Sequence, residues 1–183
     1  MPARSAPTVH VAFVRAVMHG RDGLHRTVLV DCFERAGATD VQTHLTTGNV
    51  SFVARAASVR RIVRKAEAAI GEVVGRRTEV FVRTVDELLA LRAREPFRAP
   101  PLTVECERIV AFLDHEPAVI LPIWSPSRDF VVFGTGPREL FSVAMRYPDG
   151  TSRGSGGLVE RATGTRVTSR AWSTVERILA KVA

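Results

Sequence analysis

Apolar positions in the first half of the chain switch between strand-like and helix-like spacing. A short apolar run over residues 10–16 predicts a buried strand. A helix follows over about 25–36, and Gly37 just after it suits a helix C-terminus. Two short strands over 41–45 and 50–53 are joined by Thr46-Thr47-Gly48-Asn49. Glycine and asparagine tolerate the positive φ of a tight turn, so this segment predicts a hairpin.

The next segment has the spacing of an amphipathic helix. Ser58 is a suitable N-cap, and Gly71 follows an apolar stripe made of Val59, Ile62, Val63, Ala66, Ala69 and Ile70. A strand over 78–83 comes next, so the order is β-α-β-β-α-β, the ferredoxin-like pattern. The opposite side of the helix carries Arg60, Arg61, Arg64 and Lys65. Such a run is typical of a solvated face, and it can also touch phosphates without specificity.

The second half of the chain is less regular. Thr84-Val85-Asp86-Glu87 is a capping box that opens a helix to about residue 94. Glu95-Pro96-Phe97 and Pro100-Pro101 then break the pattern and mark a boundary. Strands are predicted over 107–113, 130–133 and 139–144. A proline-rich connection with one helical turn is expected over 117–126. A flexible glycine-rich loop over 154–157 precedes a short helix over 158–163.

The last residues form an amphipathic helix, because Val175, Ile178, Leu179 and Val182 fall at i, i+3, i+4 and i+7. Two N-caps are open for it: Thr168 or Ser169, and Ser173 in a capping box with Glu176.

These patterns predict an α+β fold of two small α/β subdomains, the first ferredoxin-like, ending in an amphipathic C-terminal helix. The expected domains are a flexible leader over 1–8, a first subdomain with its following helix over 9–94, and a second subdomain over 95–183.

Composition changes this picture little. With 183 residues, 45% of them hydrophobic, the chain can bury a substantial core, and no apolar run is long enough for a membrane span. Cys32 and Cys106 lie in apolar segments and are expected to be buried, reduced thiols of a cytoplasmic protein. The net charge of +7 favours non-specific attraction to polyanions. We expect a monomer or a homodimer.

Several short motifs, taken in order, resemble the bacterial domain-of-unknown-function family 1697. The resemblance extends from about residue 9 to 182. It rests on Arg15, Gly37, Thr39-Asp40-Val41-Gln42-Thr43, Thr47-Gly48-Asn49-Val50, Glu95-Pro96-Phe97 and Thr168-x-Arg170-x-Trp172-x-Thr174-Val175. It implies a two-part α+β fold with ferredoxin-like halves, and it implies no activity.

The chain departs from the family pattern at three places. The loop after Arg15 keeps one glycine, at Gly20, and lacks the asparagine that relatives carry there. Ala171 stands where the resemblance implies asparagine, and Ser155-Gly156 stands where it implies a serine–lysine pair. If the family's site is catalytic, these losses imply an altered or inactive member.

Two groups of residues are candidate ligand-binding positions. The first is Arg15 with Thr47 and Asn49, which can converge at one end of the first sheet; alternatively, Asn49 only supplies left-handed turn geometry. The second is Thr168, Arg170, Trp172 and Thr174, where an arginine and hydroxyls at a helix N-terminus suit a phosphate or carboxylate. In the alternative interpretation, Arg170 is a structural ion pair or carbonyl clamp and Trp172 lines the core.

No recognisable catalytic constellation accompanies these residues. His10, His19, His25, His44 and His115 lack metal-ligand spacing, so neither a metal nor a cofactor is predicted. His19 and His25 flank the first loop and are expected to be solvated. Phe13 and Phe52 are expected in the core rather than as base-stacking platforms. The prediction is a binding module for a small anionic ligand or a nucleic-acid backbone. The alternative is an interaction protein that uses Trp172 and the loop over 148–157, and the third class is an enzyme acting on an anionic substrate.

Overall fold

The computed structural model describes residues 6–102, 105–152 and 156–183. The chain divides into two compact units: residues 1–87 together with 181–183, and residues 88–180. The domain boundaries drawn from the sequence stay a prediction. The elements are β1 (Thr8–Val14), α1 (Arg26–Ala36), β2 (Thr39–His44), β3 (Asn49–Ala54), α2 (Ala56–Val74), β4 (Val80–Thr84), α3 (Val85–Ala93), β5 (Cys106–Phe112), β6 (Ile123–Trp124), β7 (Phe130–Thr135), β8 (Glu139–Met145), α4 (Gly156–Thr163), β9 (Thr168–Ala171) and α5 (Trp172–Val182).

The first unit is a four-stranded sheet in the order β2-β3-β1-β4, in which every pairing is antiparallel. The predicted β-α-β-β-α-β order is confirmed. Alternate strand residues such as Ala12, Val14 and Phe52 are fully buried in a cluster with apolar residues of α1 and α2. Each large apolar side chain buried in this way stabilises the fold by about 1.5–3 kcal/mol.

The two helices of this unit owe their packing to spaced apolar residues. In α1 the buried residues are Leu29, Cys32, Phe33 and Ala36, and Gly37 ends the helix at φ 103°. The predicted stripe of α2 is buried or half-buried as well. The predicted ends of α2 were wrong: it begins after Arg55, passes through Ser58 and Gly71, and ends at Val74, with Gly75 as its C-cap. Glycine in a helix interior costs only about 1 kcal/mol, so Gly71 does not stop the helix.

The other face of this sheet is buried too. Phe13 is fully buried there, and so are four polar side chains, those of His44, Asn49, Ser51 and Arg83. Phe52, by contrast, faces the helices. Neither aromatic ring lies at the surface, so the sheet offers no base-stacking platform of the RNA-recognition type.

The second unit contains a five-stranded antiparallel sheet in the order β6-β7-β8-β5-β9. One face packs against α4 through a core that includes Ile109, Leu140 and Val159. The helical turn expected over 117–126 was wrong, because Ile123 and Trp124 pair with β7 instead. Of the predicted flexible loop, residues 154 and 155 lie outside the described residues, and Gly156 and Gly157 begin α4.

Residues 168–171 were interpreted from sequence as a helix start, and they are a strand. Val110 of β5 pairs with Arg170, and Phe112 pairs with Thr168. Because α5 begins at Trp172, the proposed caps at Thr168, Ser169 and Ser173 were wrong. Polar residues at a strand edge and hydroxyl caps look alike in sequence, and only the partner strand distinguishes them.

Two other expectations concern the helices. The capping box at Thr84 is present: Glu87 N donates to Thr84 Oγ1 at 3.1 Å, and Thr84 N donates to a Glu87 carboxylate oxygen at 2.7 Å. Throughout the described ranges, each helix is too short or too polar to cross a lipid bilayer.

Candidate anion-binding site

The residues selected from the sequence are divided between the two units. Arg15, Thr47 and Asn49 belong to the first, and Thr168, Arg170, Trp172 and Thr174 to the second. The union of the two groups in one site stays a prediction.

Within the first unit, one end of the sheet brings Arg15, Thr47 and Asn49 together. Val14 N donates to Gly48 O at 2.8 Å, so the residue after β1 lies beside the β2–β3 turn. The Arg15 side chain, 26% exposed, has a guanidinium nitrogen 3.6 Å from a Glu79 carboxylate oxygen. The Glu79 side chain is 19% exposed. Arg15 therefore retains access to solvent beside its acidic partner.

Asn49 supports the β2–β3 turn by hydrogen bonds and not by its backbone conformation. It is fully buried, and its amide nitrogen donates to His44 O at 3.1 Å and to Thr47 Oγ1 at 3.2 Å. Positive φ angles occur instead at Leu45, 60°, and Gly48, 62°. The left-handed turn geometry that the sequence assigned to Asn49 was wrong, and its role as a ligand-binding residue stays a prediction.

The loop after β1 packs against this turn. His19 N donates to Thr46 O at 2.8 Å, while both ring nitrogens of His19 are buried without a hydrogen-bond partner. Burial, together with the nearby positive charge of Arg26, lowers the pKa of His19. The solvated loop histidine expected from the sequence was wrong at this position. Arg76 fixes the loop, donating to Asp22 and to Ala16 O at 2.7 Å each.

In the second unit, Arg170 is a buried cation. Only 8% of the residue is exposed, and its guanidinium donates to Thr168 Oγ1 at 2.8 Å and to Ser169 O at 2.7 Å. Burial lowers the pKa of Arg170 to about 10, which leaves it charged at neutral pH. These contacts match the carbonyl clamp that the sequence left open, and they direct the guanidinium into the protein.

Trp172 lies in an aromatic cluster. It is 4% exposed, its ring centroid is 5.5 Å from that of Phe97 and 6.3 Å from that of Phe141, and Phe97 also contacts Phe133. Trp172 therefore lines the core, as the alternative interpretation of the sequence proposed. Thr174 is half-buried in the first turn of α5.

The exposed face of α2 carries a run of cations that the site residues chosen from the sequence do not include. Five cations lie there or at its start, all exposed: Arg55, Arg60, Arg61, Arg64 and Lys65. Within the described part of the chain, none of the five forms an ion pair with a carboxylate. The first unit holds 14 of the 26 basic residues and 9 of the 19 acidic ones, and therefore 5 of the 7 net positive charges. The run was visible in the sequence, but its lack of acidic partners was not.

A second group that the sequence did not reveal surrounds Asp129. Its carboxylate accepts hydrogen bonds from Ser127 at 2.5 Å, Tyr147 at 2.5 Å and Ser125 at 2.7 Å. These donors, in the order Ser127, Tyr147 and Ser125, hold the pKa of Asp129 far below its ordinary value. The group closes the β6–β7 turn, where Phe130 N also donates to Ser125 Oγ. The Ser-x-Ser-x-Asp spacing could have indicated the turn. The contact with Tyr147 could not be predicted, because that residue lies 18 positions further along the chain.

Both cysteine thiols are shielded from solvent, fully or in part. Cys32 is buried, Cys106 is half-buried, and burial raises the pKa of both thiols. Among the described residues, no group of three or more histidine, cysteine, aspartate or glutamate side chains is placed to hold a metal ion.

The fold and these sites define a two-unit α+β protein with a ferredoxin-like first unit and a concentration of positive charge on that unit. The sequence model of the family "Protein of unknown function (DUF1697)" matches residues 8–122. The chain belongs to this family, and the resemblance inferred from its motifs is confirmed.

One solved structure supports the architecture. The conserved bacterial protein SP0830 from Streptococcus pneumoniae aligns with a TM-score of 0.64 over 97% of this chain and 99% of its own, at 13% identity. At that identity the likeness establishes the fold alone. No curated protein matches the sequence.

Proposed function

We propose that the protein is an anion-binding module whose first unit binds the phosphate backbone of nucleic acid through the exposed face of α2. The observation that carries the proposal is the set of exposed α2 cations that lack acidic partners in the described chain. Phosphate contacts dominate nucleic-acid affinity, and cations not neutralised by carboxylates are available for them.

The spacing of these cations suits successive phosphates. Arg60 and Arg64 form one i, i+4 pair, and Arg61 and Lys65 form another, each separated by about 6 Å along the helix axis. Arg61 also approaches the C-terminus of α1, since its guanidinium lies 4.0 Å from the position that a Cβ on Gly37 would occupy. It therefore contributes partly to the fold, and Arg60, Arg64 and Lys65 are the principal binding residues.

The chemistry of the face favours binding without sequence preference. Residues exposed on α2 include arginine, lysine and alanine, and the helix contains no aromatic residue. Stacking of unpaired bases requires aromatic or planar platforms, and reading of a sequence requires side chains directed at base edges. We therefore expect a duplex to bind at least as well as a single strand.

The test is the anisotropy of a fluorescein-labelled 20-base-pair DNA duplex at 50 and 200 mM NaCl. Affinity should fall steeply with salt, and the triple variant Arg60→Gln, Arg64→Gln, Lys65→Gln should lose at least tenfold at 50 mM. The slope of log K against log [salt] should become shallower by about 2–3, because roughly 0.9 is lost for each phosphate contact.

The matched control removes the same charge from exposed positions of the second unit: Arg92→Gln, Arg94→Gln, Arg177→Gln. It should retain most of the affinity. Equal losses in the two triple variants would attribute binding to net charge and overturn the assignment to α2, and absence of binding at 50 mM would overturn the function.

A small anionic ligand at Arg15 is the second candidate, favoured by the partial exposure of the Arg15 side chain and by its place after β1, beside the β2–β3 turn. Its test is thermal shift with phosphate and with citrate, since a ligand that binds only the native state raises the Tm. Arg15→Gln should remove the shift, and Arg21→Gln, at an exposed position of the following loop, should keep it. A shift that survives Arg15→Gln would refute this site.

A further inference from the structure

A cavity in the first unit lies at the other end of α2 from the cations discussed above. Its volume is about 460 Å³, within the roughly 300–1,000 Å³ typical of small-molecule sites. Its walls are the last turns of α2 and the segment that leads into β4, including Ala68, Gly71, Glu72, Gly75, Arg77 and Thr78.

Small residues leave this space open. A Cβ added to Gly71 would lie 3.3 Å from the Arg76 carbonyl oxygen, so the returning backbone passes close to the helix. Gly75 turns the chain at φ 68°, and no atom lies within 4 Å of the position that its Cβ would take. Ala68 is exposed and presents only a methyl group. A larger side chain at position 68 would enter the cavity.

Two wall residues are occupied by structural contacts. A Glu67 carboxylate oxygen accepts the Val80 backbone N–H at 2.8 Å. Arg76 donates to Asp22 and to Ala16 O, as described above. These bonds hold the β4 segment and the first loop in place, and they fix the shape of the cavity.

The remaining charged residues of the wall have opposite signs. No basic side chain in the last turn of α2 offsets the partial negative charge at its C-terminus, and the exposed carboxylate of Glu72 adds to that charge. Arg77 is exposed and forms no ion pair with any described residue. The cavity therefore presents a negative end, suited to an ammonium group, and a cation, suited to a carboxylate or phosphate.

We propose that this cavity binds a small zwitterionic molecule, with its ammonium group against Glu72 and the end of α2 and its anionic group on Arg77. The proposal does not depend on nucleic-acid binding, because the cations near the start of α2 take no part in it.

The experiment follows backbone amide shifts by two-dimensional NMR while glycine, 4-aminobutyrate or 6-aminohexanoate is added. At least one of these zwitterions should give saturable shifts centred on Gly71, Gly75 and Thr78. Butylamine and butyrate, each with one charge, should bind at least tenfold more weakly than that zwitterion. Equal binding by either of them, or no saturable shift with any zwitterion, would overturn the proposal.

Two variants locate the binding. Ala68→Trp fills the cavity, and Arg77→Gln removes its cation; each should weaken binding at least tenfold. Ala57→Trp places the same bulk at an exposed α2 position outside the cavity and should leave binding unchanged. Shifts that persist at full strength in Ala68→Trp would show that the zwitterion binds elsewhere.

Discussion

Phe97 and Trp172 pack with ring centroids 5.5 Å apart and ring planes inclined by 50°. Each belongs to a different short motif, Glu95-Pro96-Phe97 and Thr168-x-Arg170-x-Trp172, on which the family resemblance rests. The two motifs therefore meet in one aromatic cluster of the second unit. Packing accounts for their joint presence, and a role of Trp172 in ligand binding stays a prediction.

Truncation of Trp172 should therefore act on stability. Trp172→Ala removes a 4%-exposed ring and is expected to lower the free energy of unfolding by about 3–5 kcal/mol. Trp124→Ala is the control, because Trp124 is only half-buried and its ring contacts Arg128 at 4.9 Å. Urea unfolding followed by circular dichroism measures both. A loss below about 1 kcal/mol for Trp172→Ala would argue that the tryptophan is retained for function.

Periodic patterns made most of the fold predictable. Apolar spacing located α1, α2 and α5, and alternation located the strands of the first sheet, because each of these elements buries one face. The ends of α2 were missed because a helix packed on a sheet tolerates an interior glycine and an uncapped start. β9 was missed because a four-residue polar strand is defined by its partner β5, far away in sequence.

The candidate site was less predictable than the fold. Strand order brings Arg15, Thr47 and Asn49 to one end of the first sheet, and their function as a ligand site stays a prediction. Sequence could not show that Arg170 is turned inward, or that the α2 cations lack carboxylate partners among the residues that the structure describes. Those properties depend on side-chain direction and on neighbours from other elements.

Gly48 is expected to tolerate no side chain. A Cβ there would lie 2.3 Å from Val17 Cγ2 and 3.1 Å from Val14 Cβ, and φ is 62°. Gly48→Ala should cost at least about 2–3 kcal/mol, combining left-handed strain with overpacking. Gly20→Ala, at φ 81° with nothing within 4 Å, should cost only about 1–2 kcal/mol. Thermal unfolding of the two variants separates backbone strain, which both share, from the steric clash at position 48. Equal losses of stability would rule out a contribution from the clash.

The Asp129 group should stabilise the fold above the acid range. Tyr147→Phe removes one donor to a carboxylate whose pKa is depressed, and should cost about 1.5–3 kcal/mol at pH 7. A depressed carboxyl pKa contributes stability above about pH 4, its ordinary value, and loses it as pH falls through the folded pKa. Ser125 and Ser127 still donate to Asp129 in Tyr147→Phe, so the carboxylate stays ionised in both folded proteins at pH 3, and the difference between wild type and Tyr147→Phe should persist there. Asp129→Asn supplies the comparison, because Tyr147→Phe should lower the free energy of unfolding much less in that background. An undiminished loss would disprove the stabilising hydrogen bond between Tyr147 and Asp129.

Buried histidines should make the first unit sensitive to acid. Burial is the main cause of the lowered pKa of His44, with the charge of Lys181 adding to it, and His44 Nε2 lies 2.8 Å from Ser51 Oγ. Burial also lowers the pKa of His10, which stacks on Phe52. Below about pH 6.5, these histidines bind protons in the unfolded chain more readily than in the folded chain. The free energy of unfolding should therefore decrease from pH 7 to pH 5.

Substitution of His44 tests this dependence directly. His44→Gln keeps a hydrogen-bonding group near Ser51 but cannot be protonated, so the loss of stability between pH 7 and pH 5 should be smaller than in wild type. The remaining dependence should include that of His10. His115→Gln, in an exposed loop, should leave the profile unchanged. Urea midpoints measured at pH 7, 6 and 5 provide the comparison. If His44→Gln and wild type lose stability in parallel between pH 7 and pH 5, protonation of His44 does not cause the loss. A residue that stays neutral in both the folded and the unfolded state adds no pH dependence to the free energy of unfolding.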